Sequence, residues 1–182
     1  MKTTNEKLKE IEQYIQDILN YDKYMQLKLY NHHWEYSIFD HCVNVAYYSF
    51  KIAQKLGLDY ISTVRGGMLH DFFLYNWKTN PPKNQWHGLV HPMIAYKNAS
   101  EQFNLNDIEK DIILKHMFPL TLTPPKYLEA IVVCAVDKFC ATLESLSALS
   151  LKFKNLLIQD TAKVDIPQFI CSFIYIFLIL TI

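Results

Sequence analysis

With 182 residues, 51% of them hydrophobic, and only four glycines, the chain can bury one substantial core and falls outside the disordered and collagen-like classes. Its 18 basic and 18 acidic residues cancel to zero formal charge, so no broad field draws it to a nucleic-acid duplex or an acidic membrane, and a phosphate-bearing ligand must be held by local groups. The four cysteines, Cys42, Cys134, Cys140 and Cys171, lack the close pairing of a zinc ribbon, and the polar stretch from Met1 to Glu10 is unlike a signal peptide, which together predict reduced thiols in a cytoplasmic protein.

From Asn5 to about Leu29, Leu8, Ile11, Ile15, Ile18 and Leu19 recur in steps of three and four. That is the spacing of an amphipathic helix, so residues 1–30 are expected to lay one stripe on the core. A polar and aromatic connector from Tyr30 to Tyr36 follows, and then Ser37 stands as an N-cap with Asp40 three residues on. The helix it opens should run to about Leu56 and stop at Gly57, with His41, Val45, Tyr48, Ile52 and Leu56 on its inward stripe.

The next helix, from about Tyr60, carries Ile61, Val64, Met68 and Asp71 on one stripe, with His70 adjacent. Gly66 and Gly67 inside it each cost about 1 kcal/mol relative to alanine, a cost that predicts close approach of the helix bearing His41. Burying His70 and Asp71 side by side costs several kcal/mol unless something pairs with them, and the ordinary partner is a metal ion.

Residues 72–86, with Asn80-Pro81-Pro82, Trp77 and Trp86, break the helical pattern and read as a loop placed to wall a pocket. His87-Gly88-Leu89-Val90-His91-Pro92 then leads into a helix from about Met93 to Phe103, putting His91 at its N-terminus. Asn106 and Glu109 form another capping pair, opening a helix through Ile112, Ile113 and His116 that ends before Pro119. Thr123-Pro124-Pro125 starts the last clear helix, to about Leu149, in which Asp137 stands among Ala130, Val133, Cys134, Cys140 and Ala141. A carboxylate alone on a small apolar stripe needs a counter-charge. No segment alternates as a strand does, so the fold class is all-α. The uncharged tail 166–182 spans roughly 25 Å as a helix, short of the roughly 30 Å hydrocarbon core of a bilayer. Membrane contact through 166–182, a buried helix and a contact between copies in a homo-oligomer all stay open for it.

The inward polar residues are therefore His41, His70, Asp71, His91, His116 and Asp137. Imidazole with carboxylate suits Fe, Mn or Zn better than Mg, although Mg is admitted, and the set exceeds what one ion with open positions needs. Two divalent metal ions sharing Asp71 would use every member.

In order and spacing, His41, then His70-Asp71, His91-Pro92, His116 and Asp137-Lys138 resemble the HD superfamily of metal-dependent phosphohydrolases, over about Ser37 to Glu144. More narrowly, Phe39-Asp40-His41-Cys42, Leu69-His70-Asp71-Phe72-Phe73, His87-Gly88-Leu89-Val90-His91-Pro92 and His116-Met117-Phe118-Pro119-Leu120 are similar to small bacterial HD-domain proteins of Gram-positive organisms. The resemblance implies a single helical bundle of about six to eight helices over residues 31–150, with 151–182 as a C-terminal extension. It implies that His41, His70, Asp71 and Asp137 hold a first metal and that His91 and His116 hold a second bridged through Asp71. His70 and Asp71 would be central to catalysis, and His87 a further ligand or a substrate-contacting base. Phe72-Phe73-Leu74 and His116-Met117 depart from the cyclic-dinucleotide branch, which often carries a lysine and a doubled histidine there.

The implied reaction is hydrolysis of a nucleotide or other small phosphate ester by water activated on the metals. Lys78, Lys83, Arg65 and Lys138 are candidate phosphate contacts, and Tyr75, Trp77 and Trp86 candidate base-stacking or pocket-wall residues. A di-iron oxygenase on the same ligand set and a non-catalytic HD regulatory module are the rival readings.

Overall fold

The computed structural model describes residues 2–31, 36–83 and 85–161, with side-chain surroundings through 147. The connector residues 32–35 and the tail 166–182, with the membrane and self-association readings placed on it, lie outside the described residues. All described regular structure is helical, and the only β feature among these residues is an isolated bridge between Asn31 and Ser37. No helix among them is long and apolar enough to cross a membrane. The chain divides into two compact units, Met1–Ser145 and Leu146–Ile182, and the site lies in the first.

The expected single helix from Asn5 to Leu29 is instead a series of short pieces. Helix α1 (Thr4–Ile11), opened by a Thr3–Glu6 capping box, gives way to a 3-10 turn at Glu12–Tyr14, α2 (Gln16–Leu19), α3 (Asp22–Met25) and another 3-10 turn at Gln26–Leu29. Breaking the helix lets the chain bend, so that Ile11, Ile15, Ile18, Tyr24 and Leu27 all become fully buried, which a straight rod could not bring about on a rounded core. Arg65 compensates at the break: its Nη1 donates to the Tyr14 carbonyl at 3.3 Å and to Asp17 at 2.6 Å, while its Nε donates to Glu109 at 2.8 Å. Arg65 is thus committed to structural partners, not placed as a phosphate contact.

Helix α4 (Ile38–Leu56) begins at the Ser37–Asp40 capping box and ends at Gly57 in the left-handed region, as the local signals predict. Its inward stripe holds for His41 and Val45 but not for Ile52 and Leu56, which are exposed. The buried line runs instead through Cys42, Val43, Ala46, Phe50 and Ala53, because α4 is wrapped on several sides and only its last turn and a half reaches solvent.

Helix α5 (Tyr60–Leu69) is capped by Asp59, and His70 and Asp71 follow directly on its end. A Cβ on Gly67 would lie 2.9 Å from the Ala46 Cα of α4, so this glycine lets the two backbones touch. Gly66 serves a different neighbour, since its Cβ would lie 2.6 Å from Cδ1 of Ile112. Ile61, expected inside, is exposed, while Val64 and Met68 are fully buried.

Helix α6 (His87–Gln102) starts earlier than expected, with Trp86 in the capping position and Pro92 inside it, so His91 lies in the second turn and not at the N-terminus. As the sixth residue of the helix, Pro92 has no amide proton to give the Gly88 carbonyl, so the helix runs through it with that one bond missing. Helix α7 (Asp107–Lys115) carries the expected Asn106–Glu109 capping box. Helix α8 (Leu128–Thr161) begins after the expected start. There Asp111 of α7 accepts the amides of Lys126 and Tyr127 at 2.7 and 3.0 Å, so capping comes from a distant carboxylate and not from Thr123-Pro124-Pro125.

Candidate metal centre

His41 on α4, His70 and Asp71 after α5, His91 on α6, His116 at the end of α7 and Asp137 on α8 come from five helices and are all buried. Five of them form two triads that share Asp71. His41, His70 and Asp71 offer one ligand atom each within 4.8 Å of one another, and so do Asp71, His91 and His116. The carboxylate of Asp71 divides between them: Oδ2 is 3.7 Å from His70 Nε2, while Oδ1 is 3.2 Å from His91 Nε2 and 3.5 Å from His116 Nε2. Asp137 Oδ1 closes the first group at 3.0 Å from His41 Nε2 and 3.7 Å from His70 Nε2.

The hydrogen bonds on the far side of each ring test whether these residues fit a metal. His70 Nδ1 donates to the Gly67 carbonyl at 2.7 Å, His91 Nδ1 to the His87 carbonyl at 2.9 Å and His116 Nδ1 to the Ile113 carbonyl at 2.8 Å. A carbonyl only accepts, so each Nδ1 carries a proton, and each ring in its neutral form turns a bare Nε2 lone pair inward. Outward Nδ1 donors of this kind are the usual support of metal-ligating histidines. His70 Nε2 is fully buried with no hydrogen-bond partner among the described residues. His91 and His116 bring their Nε2 atoms to 2.8 Å, where two lone pairs repel unless a cation lies with them. The donor set therefore fits divalent metal ions, with imidazole and carboxylate mixed as Fe, Mn or Zn prefer.

Positive charge among the rings is what keeps the shared carboxylate ionised: burial opposes charge on Asp71, but a protonated His70 and Nε2–H bonds from His116 and His91 outweigh it and hold the carboxyl well below its usual range, the part a divalent ion would take. Burial likewise pushes His41 down, yet hydrogen bonds to Asp137 and Glu144 raise it to about 10. A proton on His41 Nε2 thus supplies the positive charge that Asp137 and His41 together demand from a metal.

Glu144 is the site residue that sequence reading missed. It is buried on α8 two turns beyond Asp137, and its oxygens stand 3.0 and 3.2 Å from His41 Nδ1. The available signal was its seven-residue spacing from Asp137, which puts both on one helix face. Asn44 Nδ2 donates to Glu144 at 3.3 Å, and the buried Lys7 of α1 donates to Asn44 Oδ1 at 2.6 Å. The Glu144→Gln variant is expected to bind metal about 10- to 100-fold more weakly, the usual effect of losing such a support, with its melting temperature after chelation changing far less. Competition titration against a chromogenic chelator reads that loss, and unchanged affinity would remove Glu144 from the site.

A cavity of about 540 Å³ opens onto Asp71, His91, His116 and Asp137. Its remaining walls are partly apolar, from Met117, Pro119 and Leu120, and partly aromatic, from Trp77 and His87. The other expected substrate contacts are spread more widely. Lys138 lines the cavity, but its Nζ donates to the His116 carbonyl at 2.7 Å and to the Cys134 carbonyl and sulfur at 3.2 and 3.1 Å, so it ties α8 to the end of α7. Lys78 extends over the Trp77 ring, 5.1 Å from its centre, and is not part of the cavity wall. Trp86 is 64% exposed ahead of α6 and does not line the cavity either, so the pocket tryptophan is Trp77.

No curated protein and no solved structure matches this chain. The family model of the HD domain does match, over residues 38–142. That span is more than half of the chain and contains His41, His70, Asp71, His91, His116 and Asp137, and the chain belongs to the HD-domain family.

Proposed function

We propose that this protein is a metal-dependent phosphohydrolase that cleaves a nucleotide or another small phosphate ester. The observation that carries the reading is the pair of donor triads sharing Asp71 at the floor of a cavity of about 540 Å³. That size suits one small-molecule ligand, not a duplex. His41, His70, Asp71 and Asp137 would hold a first ion, and Asp71, His91 and His116 a second. Divalent ions bound there supply Lewis acidity, lowering the pKa of water towards neutrality and offsetting negative charge on phosphoryl oxygens.

The chain's own groups do the rest. Asp71, by facing both triads, fixes their spacing, and the carbonyls of Gly67, His87 and Ile113 hold the ring tautomers. Met117, Pro119 and Leu120 keep bulk water from one side of the cavity, while Trp77 offers an aromatic face to a base or an apolar leaving group. With no net charge on the chain, a phosphate is attracted by the metal centre and not by the protein at large.

Metal analysis of the purified protein, coupled to a panel of nucleoside phosphates, cyclic nucleotides and generic phosphoesters, tests the proposal. Turnover that is lost on chelation and restored by Mn, Fe or Zn is the expected result. Mixed-valence iron with oxygen consumption and background phosphoester cleavage would instead identify an oxygenase. If chelation leaves stability unchanged and the whole panel stays at background, the site is a regulatory relic. In His91→Ala the second triad loses a ligand while the first keeps all of its own, so metal content should fall from two ions to one before any further loss.

A further inference from the structure

His87 is held differently from the proposed ligands beside it. His70, His91 and His116 give their Nδ1 protons to main-chain carbonyls, whereas His87 Nδ1 lies 2.9 Å from the hydroxyl of Tyr75. A phenol donates strongly and accepts weakly, so its proton goes to Nδ1 and the ring keeps its own proton on Nε2. A nitrogen that carries a proton neither ligates a metal nor accepts one from water. The ring plane is also fixed: His87 stacks on His91 at 4.5 Å and 21° and on Trp77 at 5.3 Å and 15°, at the cavity wall.

We propose that His87 is a substrate-contacting hydrogen-bond donor, its Nε2–H serving a phosphoryl or leaving-group oxygen, and that Tyr75 is the positioning residue that sets this tautomer. The assignment of the ligand as a phosphate ester rests on the phosphohydrolase reading. The assignment of His87 as a donor, neither ligand nor base, rests on the Tyr75 contact alone.

The test uses the full-length, metal-loaded protein with Tyr75→Phe, His87→Ala and His87→Gln, read by metal content, by hydrolysis of p-nitrophenyl phosphate and bis-p-nitrophenyl phosphate, and by calorimetric binding of inorganic phosphate. All three variants should keep wild-type metal content. His87→Ala should lower kcat by about 10- to 100-fold, the range for a lost hydrogen bond to a charged group. His87→Gln should recover part of that, because an amide N–H donates but cannot act as a base. Tyr75→Phe should lower kcat severalfold with KM little changed, and should have no further effect in the His87→Gln background, where there is no tautomer to set.

Metal lost in His87→Ala would make His87 a ligand and overturn the proposal. So would a His87→Gln variant as inactive as His87→Ala, which points to a base, or an equal Tyr75→Phe effect in both backgrounds, which points to a structural tyrosine. If the wild type hydrolyses neither ester, the phosphohydrolase reading fails separately, and phosphate binding decides: weaker binding in His87→Ala with His87→Gln between keeps the donor, and equal binding removes it.

Discussion

Asp71→Asn is expected to abolish phosphoester turnover, by well over the roughly 10²-fold lost when a merely supporting residue is removed, and to leave less than one metal ion per chain. The substitution preserves shape and removes one negative charge. Asp71 is 4% exposed and is approached by imidazoles from three other positions, at 3.2, 3.5 and 3.7 Å. An amide there also replaces one oxygen with a donor, so one of the two triads meets an N–H where it had a lone pair. No nearby side chain can take over, because Asp137 lies with His41 and His70 and not with the second triad. Elemental analysis and turnover of the wild type's best substrate measure both effects, and melting after chelation shows that the variant is folded. Full metal content with full turnover would mean that Asp71 does not bridge.

Gly67→Ala should be strongly destabilising. Its Cβ would come within 2.9 Å of the Ala46 Cα and 3.3 Å of the Ala46 nitrogen, atoms of another helix's backbone that cannot rotate away. The two helices must separate by several tenths of an ångström, and overpacking of that kind costs about 1–3 kcal/mol. For a domain of this size the melting temperature should fall by about 3–10 °C. The same displacement moves His70 and Asp71, just past the end of α5, away from His41 on α4, so metal affinity should fall along with stability. Gly66→Ala should be damaging as well, because its methyl would come within 2.6, 2.9 and 3.0 Å of Cδ1, Cγ2 and Cβ of Ile112, a fully buried β-branched side chain with little room to turn. Thermal melts with and without metal separate the two effects, and a Gly67→Ala protein that melts and binds metal like the wild type would refute the close-contact argument.

The candidate ligand set was legible because a polar group on an apolar stripe contradicts its surroundings. His41, His70, Asp71, His116 and Asp137 stood out that way, and His91 by its place at a helix entrance, and the structure brings all six together. Glu144 did not stand out, because a glutamate among Ser and Leu near the end of a long helix looks like an ordinary solvated residue. Its burial exists only because His41, 103 residues away, needs an acceptor for its Nδ1 proton. Lys7 is hidden for the same reason, as a lysine on a polar-looking helix that turns out to reach Asn44. Trp77 and Trp86 show the limit from the other side. Both sat in the same pocket-walling stretch, and only the folded loop puts Trp77 at the cavity and leaves Trp86 in solvent.

By itself the sequence determined the all-α class, the ends of α4 and the start of α7, and a set of inward polar residues suited to a cation. Each of these rests on interactions within three or four residues: Ser37 with Asp40, Gly57 at a left-handed turn, Asn106 with Glu109, a histidine beside an aspartate. Tertiary structure alone decided that the N-terminal stripe breaks into short turns, that α8 waits for Asp111 before it begins, that Ile52 and Leu56 face water, and which carboxylate supports which imidazole. Those outcomes depend on partners tens of residues distant, whose pairing is set by how helices pack around a shared core. Local pattern records that a group must be satisfied, and only the packed fold supplies the group that satisfies it.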